Sequence, residues 1–151
     1  MQIAMVDTLT PSERSIRMSR IKGKDTRPEL ILRRVLHSLG MRYRLQGKGL
    51  PGKPDLVFPR YKTVVFVHGC FWHRHNGCKI ASMPKSNTQF WAEKFSKNVA
   101  RDMRTSSLLK SLGWRVIVVW ECEVISPAKA QETGERIAAL IRQGLLSESD
   151  S

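Results

Sequence analysis

The sequence contains only three cysteines and no long hydrophobic run, and each shortage excludes a class of protein. A small, odd number of cysteines does not build the disulfide framework of a secreted domain, so the thiols are available for metal binding or catalysis. No apolar stretch approaches the roughly 18 residues that a membrane-spanning helix needs. The first residues lack the basic flank and apolar stretch of a signal peptide, and we therefore expect a cytoplasmic protein.

Acidic residues are also scarce: 13 aspartates and glutamates stand against 26 lysines and arginines, for a net charge of +13. Residues 14–44 carry ten basic and two acidic side chains, whereas from residue 121 onward six acidic side chains outnumber three basic ones. This charge favours a polyanionic partner, nucleic acid first, on the N-terminal and central parts of the chain. Charge alone also fits a basic protein that associates unspecifically, so the motifs must decide.

The chain has no internal repeat and no low-complexity tract, and its 151 residues suit a single domain. We expect that domain at residues 10–146, between flexible ends at 1–9 and 147–151. Capping signals and hydrophobic periodicity predict helices at 10–21, 26–39, 88–112 and 127–142, and strands at 41–46, 55–58, 63–67 and 114–120. This order indicates an α/β fold in which helices flank a central mixed β-sheet.

Asp55 follows a loop rich in glycine and proline and begins a predicted buried strand. Many metal-dependent nucleases hold their first metal ligand at such a place, and Mg²⁺ prefers hard oxygen ligands. An aspartate after proline is also common as a loop residue that binds nearby backbone. Asp55 alone does not distinguish the two interpretations.

Residues 68–78 follow the next predicted strand directly and contain three histidines and two cysteines. Cys70, His75 and Cys78 offer three zinc ligands within nine residues, and Cys122 would complete a tetrahedral Zn²⁺ site. Such a site would tie a long polar loop to the sheet. Cys122 can instead be an ordinary buried thiol at the end of a strand.

His68 and His73 lie in the same segment but outside that ligand set. A neutral imidazole near a metal ion suits general-base chemistry, although each histidine can also serve only as a hydrogen-bonding loop residue. Between them, Phe71 and Trp72 form an aromatic pair that either packs into the core or stacks on bases.

Together these motifs resemble the very short patch repair (Vsr) endonuclease family. The resemblance covers about residues 12–123 and is carried by LPGKPD at 50–55, HGCFWH at 68–73, FW at 90–91 and WEC at 120–122. It implies a restriction-endonuclease-like fold with a structural zinc site. It also implies a monomeric enzyme that nicks double-stranded DNA at a thymine mispaired with guanine, the product of 5-methylcytosine deamination. Such an enzyme acts alongside a DNA cytosine methyltransferase and the repair machinery.

The resemblance also assigns roles to individual residues. Asp55 and the backbone carbonyl of Val67 match the groups that bind Mg²⁺, and His73 matches the catalytic histidine. His68 and Glu29 match supporting active-site residues. The family's structural Zn²⁺ ligands are matched by Cys70, His75, Cys78 and Cys122. The side chains that wedge into DNA beside the mismatch are matched by Phe71 and Trp72, and a side chain that enters from the other groove is matched by Met18.

The sequence departs from the expected patterns in two places. The second acid and the lysine that follow the first aspartate in many nucleases are absent, and His68 and His73 stand near that position instead. The loop is also one residue longer between His75 and Cys78, which makes His73 a rival zinc ligand. Two other functions remain open: a restriction-type endonuclease for matched DNA, and a zinc-stabilised DNA-binding module without catalysis.

Overall fold

The computed structural model describes residues 26–45 and 47–149, with side chains through residue 144. The predicted helix at 10–21, including Met18, and the predicted flexible segment 1–9 lie outside the described residues. The elements in chain order are helix α1 (Arg27–Ser38), strands β1 (Arg44–Leu45), β2 (Leu56–Phe58) and β3 (Thr63–His68), helix α2 (Thr88–Ser111), strand β4 (Arg115–Trp120) and helix α3 (Pro127–Ser149).

Helix α1 begins where its capping signal predicts. The side chain of Thr26 accepts a hydrogen bond from the backbone N–H of Glu29, and the proline in the first turn has no N–H to leave unpaired. The helix ends before Gly40, which adopts a φ of +83°. Leu32 and Leu36 form its buried stripe, and Glu29 lies in the first turn.

The four strands form one mixed sheet in the order β1-β2-β3-β4. β2 and β3 form the predicted antiparallel hairpin, and β4 pairs parallel to β3 after the chain passes through α2. His68 and Trp120, the last residues of β3 and β4, are paired in register. Because parallel strands end at the same edge of a sheet, the segments that follow them are brought together.

Helices cover both faces of the sheet. Helices α1 and α3 pack on the face that carries Phe58, Val65 and Val119, whereas Leu109 of α2 packs on the opposite face against Val64. The two strand residues Val64 and Val65 thus point to opposite sides, as the pleat requires. The predicted α/β fold with a flanked mixed sheet is confirmed.

The loop before β2 approaches α2 closely at Gly52. A Cβ atom there would lie 2.3 Å from the side chain of Thr105, and the φ of Gly52 is +72°. Only glycine satisfies both conditions without strain. The contact sets the position of the loop that leads into Asp55.

Two elements differ in length from their predictions. Within the described residues β1 covers Arg44–Leu45, whereas the predicted strand 41–46 also includes residue 46, which lies outside them; β1 is an edge strand, and Leu45 is exposed. α3 continues past the predicted end at Arg142 to Ser149, so the predicted domain boundary at 146 falls within it. Arg115 donates to the carbonyls of Leu140 and Ile141, and its guanidinium occupies the space that a side chain at Gly144 would need. Among the described residues, no helix is long and apolar enough to cross a membrane.

Candidate active site and metal centre

The candidate site residues gather at the edge of the sheet where β3 and β4 end. The loop 69–87 follows β3, and a 3₁₀ turn, Glu121–Val124, follows β4. The backbone N–H of Cys70 donates to Oε1 of Glu121 at 2.9 Å and joins the two segments. The parallel pairing of two strands distant in sequence thus creates the site.

An acidic pair, Glu29 and Asp55, lies between α1 and the start of β2. Glu29 is 1% exposed, and Nη2 of Arg33 donates to its Oε2 at 2.6 Å. Asp55 accepts a hydrogen bond from the backbone N–H of Val67 at 2.7 Å and forms another with Glu29. Burial, followed by the hydrogen bond with Glu29, raises the pKa of Asp55 to about 8. Asp55 therefore keeps its proton at neutral pH, and a divalent cation in the place of that proton would compensate the charge of the ionised carboxylate.

A histidine pair is formed by His68, the residue directly after Val67, and His73. The rings of His68 and His73 are stacked, with centroids 3.8 Å apart and planes 7° from parallel. Burial, together with the neighbouring His73, lowers the pKa of His68 to about 4, so His68 is neutral at physiological pH. Nδ1 of His73 lies 2.6 Å from Oδ2 of Asp102 on α2. A carboxylate on one ring nitrogen orients the imidazole and leaves the other nitrogen available as a base.

Asp102 was missed in the sequence, although a signal for it exists. The inward stripe of α2 recurs at spacings of four and three residues, and polar side chains occupy its middle, where apolar ones are expected. Its members are Trp91, Phe95, Asn98, Asp102, Thr105 and Leu109. Hydrogen bonding to His73 opposes the effect of burial and lowers the pKa of Asp102, which keeps the carboxylate ionised.

The cysteine cluster lies on the other side of Trp120. Cys70, His75, Cys78 and Cys122 place their ligand atoms within 4.8 Å of one another. Nδ1 of His75 is 3.6 Å from Sγ of Cys70 and 3.5 Å from Sγ of Cys122. Tetrahedral zinc, with Zn–S near 2.3 Å and Zn–N near 2.0–2.1 Å, requires about 3.5 Å between sulfur and nitrogen. The cluster can therefore hold a metal ion.

The pKa differs among the three thiols of the cluster. Burial raises the pKa of the Cys70 thiol to about 12, so this group does not ionise without a nearby cation. The pKa of Cys78 is lowered instead, first of all by a hydrogen bond from the backbone of Ile80. The longer loop between His75 and Cys78 keeps His75 in the ligand set, and its rival His73 is bound to Asp102.

Arg74 braces the loop that carries these groups. Its guanidinium donates to the carbonyls of Phe71 and Ala81 and lies 4.0 Å from the ring centroid of Phe95 on α2. Arg74 itself has a positive φ of +57°. The reversal of the chain at this residue lets His73 and His75, two positions apart, face different clusters.

Phe71 and Trp72 pack against their own protein while remaining partly exposed. The ring of Phe71 meets those of Trp91 and Phe95 edge to face, with centroids 5.5 and 5.1 Å apart. The carbonyl of Trp72 accepts a hydrogen bond from Asn98 at 3.1 Å. Both side chains therefore pack in part against their own protein, and stacking on bases stays a prediction. Met18 lies outside the described residues, and metal binding by the carbonyl of Val67 stays a prediction.

The sequence matches one protein-family model and several known proteins. A family model described as DNA mismatch endonuclease Vsr matches residues 6–79. The type II nicking enzyme V.XorIIP of Xanthomonas oryzae is 51% identical over 120 residues, which are 80% of this chain and 88% of the relative. The type II nicking enzyme V.NmeAIP of Neisseria meningitidis is 45% identical over 93% of this chain and all of its own length. The DNA mismatch endonuclease Vsr of Escherichia coli is 40% identical over 97% of this chain and 92% of its own.

Proposed function

The chain belongs to the Vsr family of DNA endonucleases, and from this premise we propose that it nicks one strand of duplex DNA at a T:G mismatch. Such a mismatch arises when 5-methylcytosine is deaminated, and the nick starts very short patch repair. One observation carries the proposal: the backbone N–H of Val67 donates a hydrogen bond to Asp55, and His68 is the residue directly after Val67. The acidic pair and the histidine pair are thereby held as one catalytic unit.

Asp55 and the carbonyl of Val67 are the groups that would hold Mg²⁺, with Glu29 close by to orient a water molecule. The donor set fits this ion because carboxyl groups are hard oxygen ligands. Two carboxylates this close together also repel each other unless a cation lies between them. When bound, Mg²⁺ polarises the phosphate and stabilises the leaving oxygen. Arg33 holds Glu29 in place through its short ion pair.

His73 activates the water molecule that attacks phosphorus, and Asp102 positions His73 for this task. The carboxylate on Nδ1 fixes the ring and stabilises the imidazolium that forms when the other nitrogen accepts the proton. His68, neutral and stacked on His73, limits the rotation of that ring. Asp102 therefore joins the residues assigned from the sequence as a positioning residue.

Zn²⁺ is the metal we propose for the cluster of Cys70, His75, Cys78 and Cys122, in a structural role. Three thiols and one imidazole supply the four ligands of a closed site, which is typical of structural zinc. Its ligands come from both strand ends, so the ion ties the loop 69–87 to the sheet.

Recognition rests on the weakness of the T:G pair. A wobble pair stacks poorly and costs less to open than a matched pair, and partly exposed aromatics can occupy the opened step. Phe71 and Trp72 are the proposed wedge, backed by Trp91 and Phe95, with Met18 entering from the other groove. The excess of basic residues supplies phosphate affinity.

Several broader features follow from the same proposal. The mixed sheet between helices and the acidic pair at a strand start are compatible with a restriction-endonuclease-like fold. We propose a monomer that acts in the cytoplasm, associated with the nucleoid when bound to DNA, and in concert with a DNA cytosine methyltransferase.

The first test compares nicking of T:G and matched duplexes in Mg²⁺. We expect the T:G duplex to be nicked about 10²-fold faster, because wedging a mismatch avoids a few kcal/mol of unstacking cost. A double variant that carries both Phe71→Leu and Trp72→Leu should lose most of this preference. Trp114→Leu, at the opposite end of β4, serves as the matched control and should keep it. Equal cleavage of matched DNA would indicate a restriction-type enzyme, and tight binding without a nick would indicate a binding module.

A second test concerns the residue that the sequence did not reveal. Asp102→Asn is expected to lower the single-turnover nicking rate by about 10²-fold, because a neutral amide no longer stabilises protonated His73. DNA affinity should remain within about twofold, since the Asp102 carboxylate is bound to His73 and its side chain is 25% exposed. Glu93→Gln, on the exposed face of the same helix, is the control and should nick normally. A normal rate for Asp102→Asn would remove it from the mechanism.

A further inference from the structure

Trp120 lies between the cysteine cluster and the histidine pair and touches both. Its indole is stacked on His75, with centroids 4.3 Å apart and planes 9° from parallel. Its ring also meets His68, with centroids 5.3 Å apart and planes at 74°. No other described residue makes ring contacts with both His68 and His75.

The ring contacts continue beyond His68 to α2. His68 is stacked on His73 at 3.8 Å, and His73 is bound to Asp102 at 2.6 Å. The rings of His75, Trp120, His68 and His73 thus form a continuous series of contacts, two stacked and one edge to face, from the cysteine cluster to the histidine bound to Asp102. Close-packed side chains of this kind transmit small displacements, because the interior leaves little empty space to absorb them.

The indole has little freedom of its own. Trp120 ends β4 in register with His68, and its backbone N–H donates to Oε1 of Glu123 at 2.9 Å. With its main chain held in this way, the orientation of the indole depends on the rings beside it. The orientation of His75 depends in turn on whether its nitrogen is bound to a metal ion.

We propose that Trp120 is a positioning residue that couples occupancy of the metal site to the alignment of the catalytic histidine pair. This inference rests on the proposed function, in which His73 is the base. The metal site then does more than hold the loop: an empty site releases His75, the indole shifts, and His68 and His73 lose their alignment. A displacement of about 1 Å in a catalytic group can cost about 10²-fold in rate.

Variants at Trp120 separate this role from simple packing. We expect Trp120→Leu to lower the single-turnover nicking rate at saturating DNA by about 10- to 10²-fold while its zinc content and DNA affinity stay normal. Trp120→Phe keeps a flat ring between the histidines and should recover most of the rate. Trp114→Leu, at the residue immediately before β4, is the control for loss of a partly buried indole and should keep the normal rate. If Trp120→Leu loses only stability or DNA affinity, the proposal is overturned.

A measurement without DNA keeps the inference independent of the nicking assay. The ring protons of His68 and His73 are followed by NMR while Zn²⁺ is exchanged for Cd²⁺, a larger thiophilic ion. In the unaltered protein and in Trp120→Phe we expect these signals to move, whereas the exposed His37 serves as an internal reference and should not. Unchanged signals from His68 and His73 in the unaltered protein would refute the coupling, even if Trp120→Leu does not fold. Moving signals in a protein that fails to nick T:G duplexes would refute the proposed function while leaving the coupling intact.

Discussion

Asp55→Asn is expected to lower the Mg²⁺-dependent nicking rate by about 10³-fold or more, equivalent to ~4 kcal/mol in the barrier. Asparagine keeps an oxygen that can accept the hydrogen bond from Val67, but it lacks the charge that holds the cation. The measurement is single-turnover cleavage of a T:G duplex over a range of Mg²⁺ concentrations. Glu132→Gln, on an exposed part of α3, is the matched control and should nick normally.

The same variant should fold as well as the original chain, which separates loss of catalysis from loss of structure. Burial and the hydrogen bond with Glu29 raise the pKa of Asp55 to about 8, so ionising this group inside the protein is unfavourable without a cation. A neutral amide removes that unfavourable charge. Thermal melting without added Mg²⁺ should therefore show no decrease for Asp55→Asn. Undiminished cleavage by this variant would contradict the assignment of Asp55 as the metal ligand.

Cys122→Ser and His75→Ala should each abolish stoichiometric zinc binding and destabilise the protein by more than ~3 kcal/mol. Losing either ligand opens the cluster and detaches the loop 69–87 from the end of β4. For a chain of this size the loss corresponds to a fall of about 10 °C in Tm. Metal content by mass spectrometry and melting by circular dichroism measure the two effects.

His37 offers a control for the histidine variant. It is exposed on α1 and outside the cluster, so His37→Ala should bind one zinc ion and melt like the unaltered chain. A metal-free protein with unchanged Tm would refute the structural role of the site. One equivalent of a different metal in the purified protein would keep the site but correct the identity of the ion.

Much of the fold could be predicted from local patterns. The cap at Thr26, the hairpin of β2 and β3, the long helix α2 and the buried strand β4 all depend on hydrophobic periodicity and on residues that begin or end an element. The predicted helix at 127–142 was too short, and a distant residue binds it near that predicted end. α3 continues through Gly144 because Arg115, from β4, binds the carbonyls of its last turns.

The site was predictable to a smaller extent. The histidines and cysteines are conspicuous because five of them fall within residues 68–78, and Asp55 because it begins a buried strand directly after a loop rich in glycine and proline. Their partners were harder to find: Asp102 is one acid among many in the sequence, and Trp120 resembles any aromatic residue at the end of a buried strand. Asp102 meets His73 because α2 packs against the loop 69–87. Trp120 meets His68 because β4 pairs with β3.

The sequence by itself determined the basic charge, the order of helices and strands, and the set of side chains able to bind metal or transfer protons, because each depends on residue type and short spacing. Tertiary structure alone decided how that set is divided. His73 and His75 are two residues apart, yet one is bound to Asp102 and the other lies among the cysteines. That division depends on the reversal of the chain at Arg74 and on the parallel ends of β3 and β4, which bring together groups about 50 residues apart.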